Sequence, residues 1–560
     1  MVRATFAGFN TALSALQANQ KRLDITGQNL SNMNTAGYTR QQLETSSLNY
    51  TNPTSHYSNG NETLVGFGVS MTRVSQLRDP YLDIQYRAQM TDYSYTNQLQ
   101  TSLDSLAKVL DETTIDGIRQ AFDNIGTVLT NMQDSSKVSD PIYESELRAK
   151  MQSLTSLFNQ ASKQITQAEQ NEFERLTGEG TSEQGAVEKV NDILQQIGNL
   201  NVQIKRNQIA GNPSLELQDE RNLLLDELSG YIPSETRYYK DEAHSGANAY
   251  EYDSNGKVIG KKDWPDDLEV SLTYTDSDGN SQKLILVNGS DLGADGKQKN
   301  YGSVSATQTD GKTAADITDP TNIALTFSKA DSYTAQGAND SATAWAEGAQ
   351  FDGGSVQASL DMLQKTGSGN AIGTTATVDT VRGYQYYSNR LDTLARIFAE
   401  KMNEINNDNK AGTADQNLFT NSSDGTVNNI TAANIGVSKD WVNGNTHIST
   451  GGTNRTDTIL DMIAALKDTT ITGLNGKSFS DYMNNISTQL ATDSSSNKTA
   501  LKTNTTVLNG IQDSKDSISG VSLDEEAANM MTYVSAYNAA SRLMTALNEV
   551  LDTLINSTGV

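Results

Sequence analysis

The sequence predicts a mainly α-helical, elongated protein of nested domains: terminal helices paired as a coiled coil, a helical-bundle body and a β-rich outer domain. Three observations lead there. The two ends carry complementary heptad seams, long helical periodicity flanks the middle, and near residue 235 the composition turns to Gly, Asp, Asn, Thr and Tyr with period-two alternation. The expected organisation is 1–58 and 517–560 as a terminal coiled-coil and assembly unit, 59–235 and 381–516 as the helical body with a small irregular or β segment near 411–456, and 236–380 as the β-rich insert.

At the N-terminus Phe6, Phe9, Leu13, Leu16, Gln20, Leu23, Gly27 and Leu30 follow one another at alternating steps of three and four, the spacing of a coiled-coil seam. The helix is expected to end near Asn32 to Asn34, where Gly37 can take the left-handed conformation that closes it. Residues 38–80 read as irregular chain with an extended hairpin arm around Leu64 to Thr72, and Pro80 suits the first turn of the next helix. Between 81 and 230 four apolar runs mark bundle helices: Leu99 to Leu110, Ile118 to Met132, Leu147 to Ala168 after Pro141, and Val190 to Ile204.

Strands Leu268 to Tyr274 and Lys283 to Val287 characterise the insert, and Trp264, Trp345 and Trp441 all fall in stretches read as non-helical, where large side chains close small β cores. Helical pattern resumes with Tyr387, Leu391, Leu394, Phe398 and Met402, then again at about 457–468, 478–491 and 498–516. In the last helix Ala527, Met530, Val534, Tyr537, Ser541, Met544, Asn548, Leu551 and Ile555 form one seam, and Tyr533, Ala536, Ala540, Leu543, Leu547, Val550 and Leu554 a second. One seam is assigned to the N-terminal helix. The other, carrying Leu543, Leu547 and Val550, is left for a neighbouring subunit. The alternative is that both stripes face one large core. A capping box with Ser522 as N-cap and Glu525 at the third helical position is expected to start this helix.

The 42 Lys and Arg against 68 Asp and Glu, a net charge of −26, oppose binding to nucleic acid or an anionic membrane surface. Residues 241–380 hold 21 acidic side chains against 9 lysines, so much of that charge belongs to the insert. With no cysteine, disulfides, thiolate catalysis and zinc-thiolate sites are excluded. His56, His244 and His447 lie far apart without helically spaced ligand partners, so neither a metal nor another cofactor is expected. Asp276, Asp278, Gly279 and Asn280 read as a turn, since the calcium-loop Gly and Glu are missing (position 287 is Val). No membrane-spanning run, cleaved signal peptide, nucleophile elbow or phosphate-cradling loop is present, and nothing argues for an enzyme.

Two stretches carry a family resemblance. Asn29-Leu-Ser-Asn32-Met-Asn34-Thr35-Ala-Gly37-Tyr38-Thr-Arg40 resembles the Asn-rich signature that opens bacterial flagellar rod, hook and hook-associated proteins. Ser519-Gly520-Val521-Ser522-Leu523-Asp524-Glu525-Glu526-Ala527-Ala528-Asn529, continuing through Ala536-Tyr537 to Leu551-Asp552-Thr553-Leu554, resembles the C-terminal signature of the hook-associated protein 1 family, the hook-filament junction proteins. Weaker similarity runs through Leu215 to Ser229 and Asn389 to Asn406. The resemblance implies a structural adaptor between hook and filament, exported by the flagellar type III pathway to the cell exterior and assembled as a homo-oligomeric ring. Its implied partners are the hook protein, the other hook-filament junction protein, and an export chaperone on the C-terminal helix.

The absent cysteines and the amphipathic ends, which need shielding until partners arrive, fit that picture. The candidate assembly residues are Phe9, Leu13, Leu16, Leu23, Leu30, Asn32, Thr35, Gly37 and Tyr38 at one end, and Val534, Tyr537, Leu543, Met544, Leu547, Val550, Leu551, Leu554 and Ile555 at the other. The alternatives are another axial protein (hook, flagellin or the second junction protein) or a secreted glycan-binding adhesin or enzyme presenting the acidic insert.

Overall fold

The structure, a computed structural model, describes residues 2–48, 68–110, 112–138, 140–240, 250–252, 258–261, 266–275, 281–293, 296–308, 320–332, 351–367, 381–408, 414–449 and 457–556. Helix α1 spans Val2–Asn32 and closes as expected: Thr35 N–H donates to Asn32 O, Tyr38 N–H to Thr35 O, and Gly37 adopts φ +76°. Strands β1 (Gln41–Ser47) and β2 (Val69–Gln76) then form the expected antiparallel arm, with Gln41 opposite Gln76 and an irregularity between Glu44 and Thr45. Gly68, immediately before β2, sits at φ +106° against α1, where a Cβ would stand 2.3 Å from Ser14 Oγ. Only glycine admits that approach. The predicted arm residues 64–67 lie outside the described residues.

Helix α2 (Pro80–Val109) starts as its sequence dictates, with Pro80 in the first turn and Asp79 accepting from Tyr81 N–H at 2.9 Å. The bundle continues with α3 (Glu112–Asn131), short α4 (Ser135–Val138), α5 (Pro141–Thr177, capped by Asp140), α6 (Ala186–Ile209) and α7 (Leu215–Tyr231). All four predicted apolar runs pack within it, buried throughout except for the partly buried Leu99.

The β-rich segment comprises β3 (Glu235–Lys240), β4 (Tyr250–Tyr252), β5 (Val258–Lys261), β6 (Asp266–Thr275), β7 (Ser281–Asn288), β8 (Ser303–Gln308) and β9 (Ile323–Ser328). They pair antiparallel as β3-β6-β7, β4-β5 and β8-β9. The 276–280 turn, His56, His244, Trp264 and Trp345 lie outside the described residues. Helix α8 (Gly354–Gln364) falls inside the stretch read as β insert. It is buried on nearly every side and so lacks the one-sided stripe by which a helix is recognised. Helix α9 (Tyr384–Asp408) follows, then β10 (Phe419–Asn421) paired with β11 (Ile435–Val437), α10 (Lys439–Val442) and α11 (Asp457–Lys467). Trp441, expected in non-helical chain, sits fully buried in the single turn of α10. The helices expected at 478–491 and 498–516 are one 41-residue helix, α12 (Phe479–Ser519), because the polar stretch between them continues helically along α2. Helix α13 spans Leu523–Asn556.

One contiguous core runs from the body helices into the β segment. At its centre Phe122 of α3 stacks on Phe479 of α12 (5.7 Å between centroids) and meets Phe398 of α9 edge-on (5.3 Å). Halves of the body separated by the insert thus pack together, each buried Phe contributing roughly 1.5–3 kcal/mol by area removed from water. Among the described residues, none of α1, β1, β2 or α13 belongs to this core.

Candidate assembly surface on the terminal helices

The two ends of the chain do come together. Leu547 lies against Gly8, Arg22 sits 5.6 Å over the Tyr533 ring, and Arg40 reaches Glu525 and Glu526. The partner's number falls as that on α1 rises, so the helices are antiparallel, and the step of 14 residues from Gly8 to Arg22 equals that from Tyr533 to Leu547, two heptads.

The faces that meet differ from those expected. On α1 the buried positions are Ala12, Ala18, Asn19, Ile25, Thr26 and Asn29, shared between α13 and the β1-β2 hairpin, whereas Leu13 is 47% exposed and Phe9, Leu16, Leu23 and Leu30 are half-buried. Gly27 has open space where a side chain would be. On α13 only Glu526 and Ala540 are buried, flanked by half-buried Asn529, Tyr533, Ala536, Met544, Leu547 and Leu551. Val534, Tyr537, Leu543, Val550, Leu554 and Ile555 point to solvent. The seam containing Tyr533, Ala536, Ala540 and Leu547, read from sequence as free, is therefore largely the intrachain one, and Leu547 is not an outward residue. The reason is steric: interaxial distance is set by the side chains on the contact line, so Gly and Ala positions win the close pairing and leave the large apolar ones outside.

The Asn-rich signature fastens this pair to the body. Asn29, buried at the end of α1, donates through Nδ2 to Gln41 O (3.0 Å) and accepts through Oδ1 from Gln41 N–H (3.0 Å) and the Tyr38 hydroxyl (2.9 Å). Burial, with Glu216, Asp219 and Glu526 nearby, pushes the Tyr38 hydroxyl up to about 12, so it stays a donor. Thr39 gives its N–H and its hydroxyl to the two oxygens of Asp219 on α7 (3.0 and 2.6 Å). Burial raises the Asp219 carboxyl, with those Thr39 bonds opposing the rise. Asn32 and Tyr38 are half-buried, while Thr35 and Gly37 are exposed. Of the predicted set, then, Asn32 and Tyr38 work within the chain: Asn32 Nδ2 donates to Gln28 O.

Helix α13 begins one residue after Ser522, whose carbonyl accepts from Glu526 N–H, as the expected cap position requires. Glu525, expected to bond back to Ser522, is instead paired with Arg40. Beside this junction Lys515 of α12 bridges Asp226 (2.6 Å) and Asp83 (3.5 Å), and Arg87 bonds Asp226 at 2.7 Å. Burial alone would raise the Asp83 carboxyl; the hydrogen bond and charge of Arg78, with Lys515 and Arg87, outweigh it and hold the group below the usual aspartate range. The sequence reading held Asn29 and Arg40 within the Asn-rich signature and Asp219 within the weaker similarity of Leu215 to Ser229, but named none of them as a site residue; for the Arg40 pairs the partner is an acidic run nearly five hundred residues away.

His447 is exposed and contacts Glu144 at 3.2 Å, while Trp441 Nε1 donates to the same carboxylate at 2.7 Å. Among the described residues no group of His, Asp and Glu could hold a metal ion, and no helix is long and apolar enough to cross a membrane.

Comparison with known proteins gives three family matches along the chain. Residues 103–419 match the family described as flagellar hook-associated protein FlgK helical domain; residues 9–39, which hold most of α1 and the Asn-rich signature, match flagella basal body rod protein; residues 515–557, which hold α13, match the C-terminal segment of flagellar basal body rod FlgEFG proteins. Flagellar hook-associated protein 1 of Bacillus subtilis (strain 168) is 27% identical over 567 aligned residues, covering 100% of this chain and 99% of the relative. That of Escherichia coli (strain K12) is 24% identical over 593, covering 98% and 99%. The solved flagellar hook junction protein FlgK from Burkholderia pseudomallei aligns with 60% of this chain and 46% of its own at 18% identity and a TM-score of 0.38. With that helical domain filling more than half of its length, the chain belongs to the flagellar hook-associated protein FlgK family.

Proposed function

We propose that this chain is the structural junction protein that joins the hook of the bacterial flagellum to its filament. The observation that carries the reading is the outward apolar stripe of the terminal helix pair, in a chain that relatives named flagellar hook-associated protein 1 match from end to end. An isolated monomer gains nothing from exposing Val534, Tyr537, Leu543, Val550 and Leu554; copies packed side by side bury them. In this reading the terminal pair, with 1–58 and 517–560, is the assembly unit and packs as a coiled coil within a ring of copies, flanked by the hook protein and the other junction protein. The helical body and the acidic insert face outward. The chain is exported unfolded by the type III pathway, its C-terminal helix covered by a chaperone beforehand. Its role is mechanical, without catalysis.

The test is electron microscopy of a deletion strain. Hooks without attached filaments, restored to full length by the wild-type gene but not by a gene carrying Val534→Asp and Val550→Asp, are expected. Filaments of normal length in the deletion strain would reject the proposal.

A further inference from the structure

The outward apolar residues of α13 fall on two lines. Tyr533, Ala540 and Leu547, seven residues apart, follow the line on which α1 lies, with Arg22 over the Tyr533 ring and Gly8 against Leu547. At about 100° per residue, Met530 and Tyr537 stand about 60–80° to one side of that line, and Leu543 and Val550 about 60–80° to the other. All four are exposed. The helix therefore carries two apolar edges, one on each flank of α1, the first in its N-terminal half and the second in its C-terminal half. Both continue the seam that already holds α1.

Charge narrows what can lie against them. From Ala527 to Asn548 the only charged side chain, on any face, is Arg542. Helix α1 has Arg3, Lys21 and Arg22 against Asp24, and α13 has Arg542 against five acids, so the pair holds −2 of a net charge of −26. The rest of the chain carries nearly all the negative charge, so two copies repel least along these helices. The edges also match in spacing. Met530 and Tyr537 are seven residues apart, as are Leu543 and Val550, so one shift of 13 residues sets Met530 opposite Leu543 and Tyr537 opposite Val550 together.

Resting on the assembly role above, we propose that neighbouring copies join edge to opposite edge: the Met530 and Tyr537 edge of one α13 packs on the Leu543 and Val550 edge of the next copy, the two helices parallel and offset by about 20 Å, the length of those 13 residues at 1.5 Å each. The contact is heterologous. Each copy offers one edge to the copy before it and the other to the copy after, so the same contact repeats along a row. Like edges meeting would instead need a two-fold axis, and the row would not run in one direction.

The chain has no cysteine, so introduced ones report cleanly. Two full-length copies with different tags, one carrying Tyr537→Cys and the other Val550→Cys, are expressed together in the deletion strain, and the isolated flagella are oxidised. A disulfide forms only where Cα atoms come within about 7 Å. The mixed strain is expected to give a band at twice the monomer mass bearing both tags, which strains with either copy alone lack. Both substitutions in one chain are expected to give a ladder of higher multiples. Met530→Cys mixed with Leu543→Cys, in the same register, carries the measurement if the first pair blocks filament growth. Disulfides in Tyr537→Cys alone, disulfides from the mismatched Met530→Cys and Val550→Cys, or none between copies in a matched pair whose filaments grow would each overturn the pairing. Those outcomes leave the junction role standing, which fails instead if filaments grow without the gene.

Discussion

Leu547 of α13 packs where Gly8 of α1 has no side chain, a Cβ on Gly8 falling 3.3 Å from Leu547 Cδ1. That fit holds the helices close and makes Leu547 part of the fold of the single chain. Val550, three residues on, is 56% exposed and belongs to the outward stripe.

Leu547→Asp and Val550→Asp should therefore fail differently. The first places a carboxylate in the intrachain seam and is expected to weaken the helix pair by about 2–3 kcal/mol, seen as faster amide exchange along α13 in the monomer. The second is expected to leave exchange unchanged and to block filament growth. Equal exchange in both variants would contradict the assigned faces.

Asn29→Ala removes the donor and acceptor that satisfy the Gln41 backbone and the partner of the Tyr38 hydroxyl. Leaving buried polar groups unpaired costs about 1–3 kcal/mol. Amide exchange at Tyr38 to Gln41 is expected to rise accordingly while the body core around Phe122 stays protected. Asn29→Asp keeps the acceptor but cannot donate to Gln41 O, and should fall between Asn29→Ala and the wild type.

Acid should loosen the junction through Asp83. Its folded value is held below the ordinary one, so its contribution is fully present above the unfolded value of about 3.9 and is lost as pH falls through the folded one. Asp83→Asn is expected to lower neutral stability by about 2–4 kcal/mol, because Arg78 and Lys515 lose a partly buried partner. It should also flatten the acid limb of stability against pH, measured by urea unfolding. An acid limb as steep as the wild type's would remove Asp83 from that role.

Two glycines should respond with opposite sign. Gly354 opens α8 at φ +82° with a would-be Cβ 2.3 Å from Tyr231 O, so Gly354→Ala is expected to cost about 2–3 kcal/mol in urea unfolding. Gly27 lies within α1 with no atom near that position, and Gly27→Ala is expected to slow exchange in the helix by about 0.5–1 kcal/mol of local stability.

The sequence by itself determined the long body helices through their one-sided stripes, and, through local backbone preference, the helix starts at Pro80 and Pro141, the left-handed stop at Gly37, and strands β6 and β7, whose β-forming residues mark them although consecutive residues of each are buried. The presence of two stripes on α13 was legible in the same way. Which stripe turns inward was not, since apolar spacing is blind to how closely two backbones approach, and the small Gly8 and Ala540 positions decide that only when the partner helix is present. Helix α8 was hidden for the converse reason: a helix enclosed on all sides has no polar face to contrast with an apolar one. The Asn29, Asp219 and Arg40 bonds join residues far apart along the chain, so only folding could bring each donor to its acceptor.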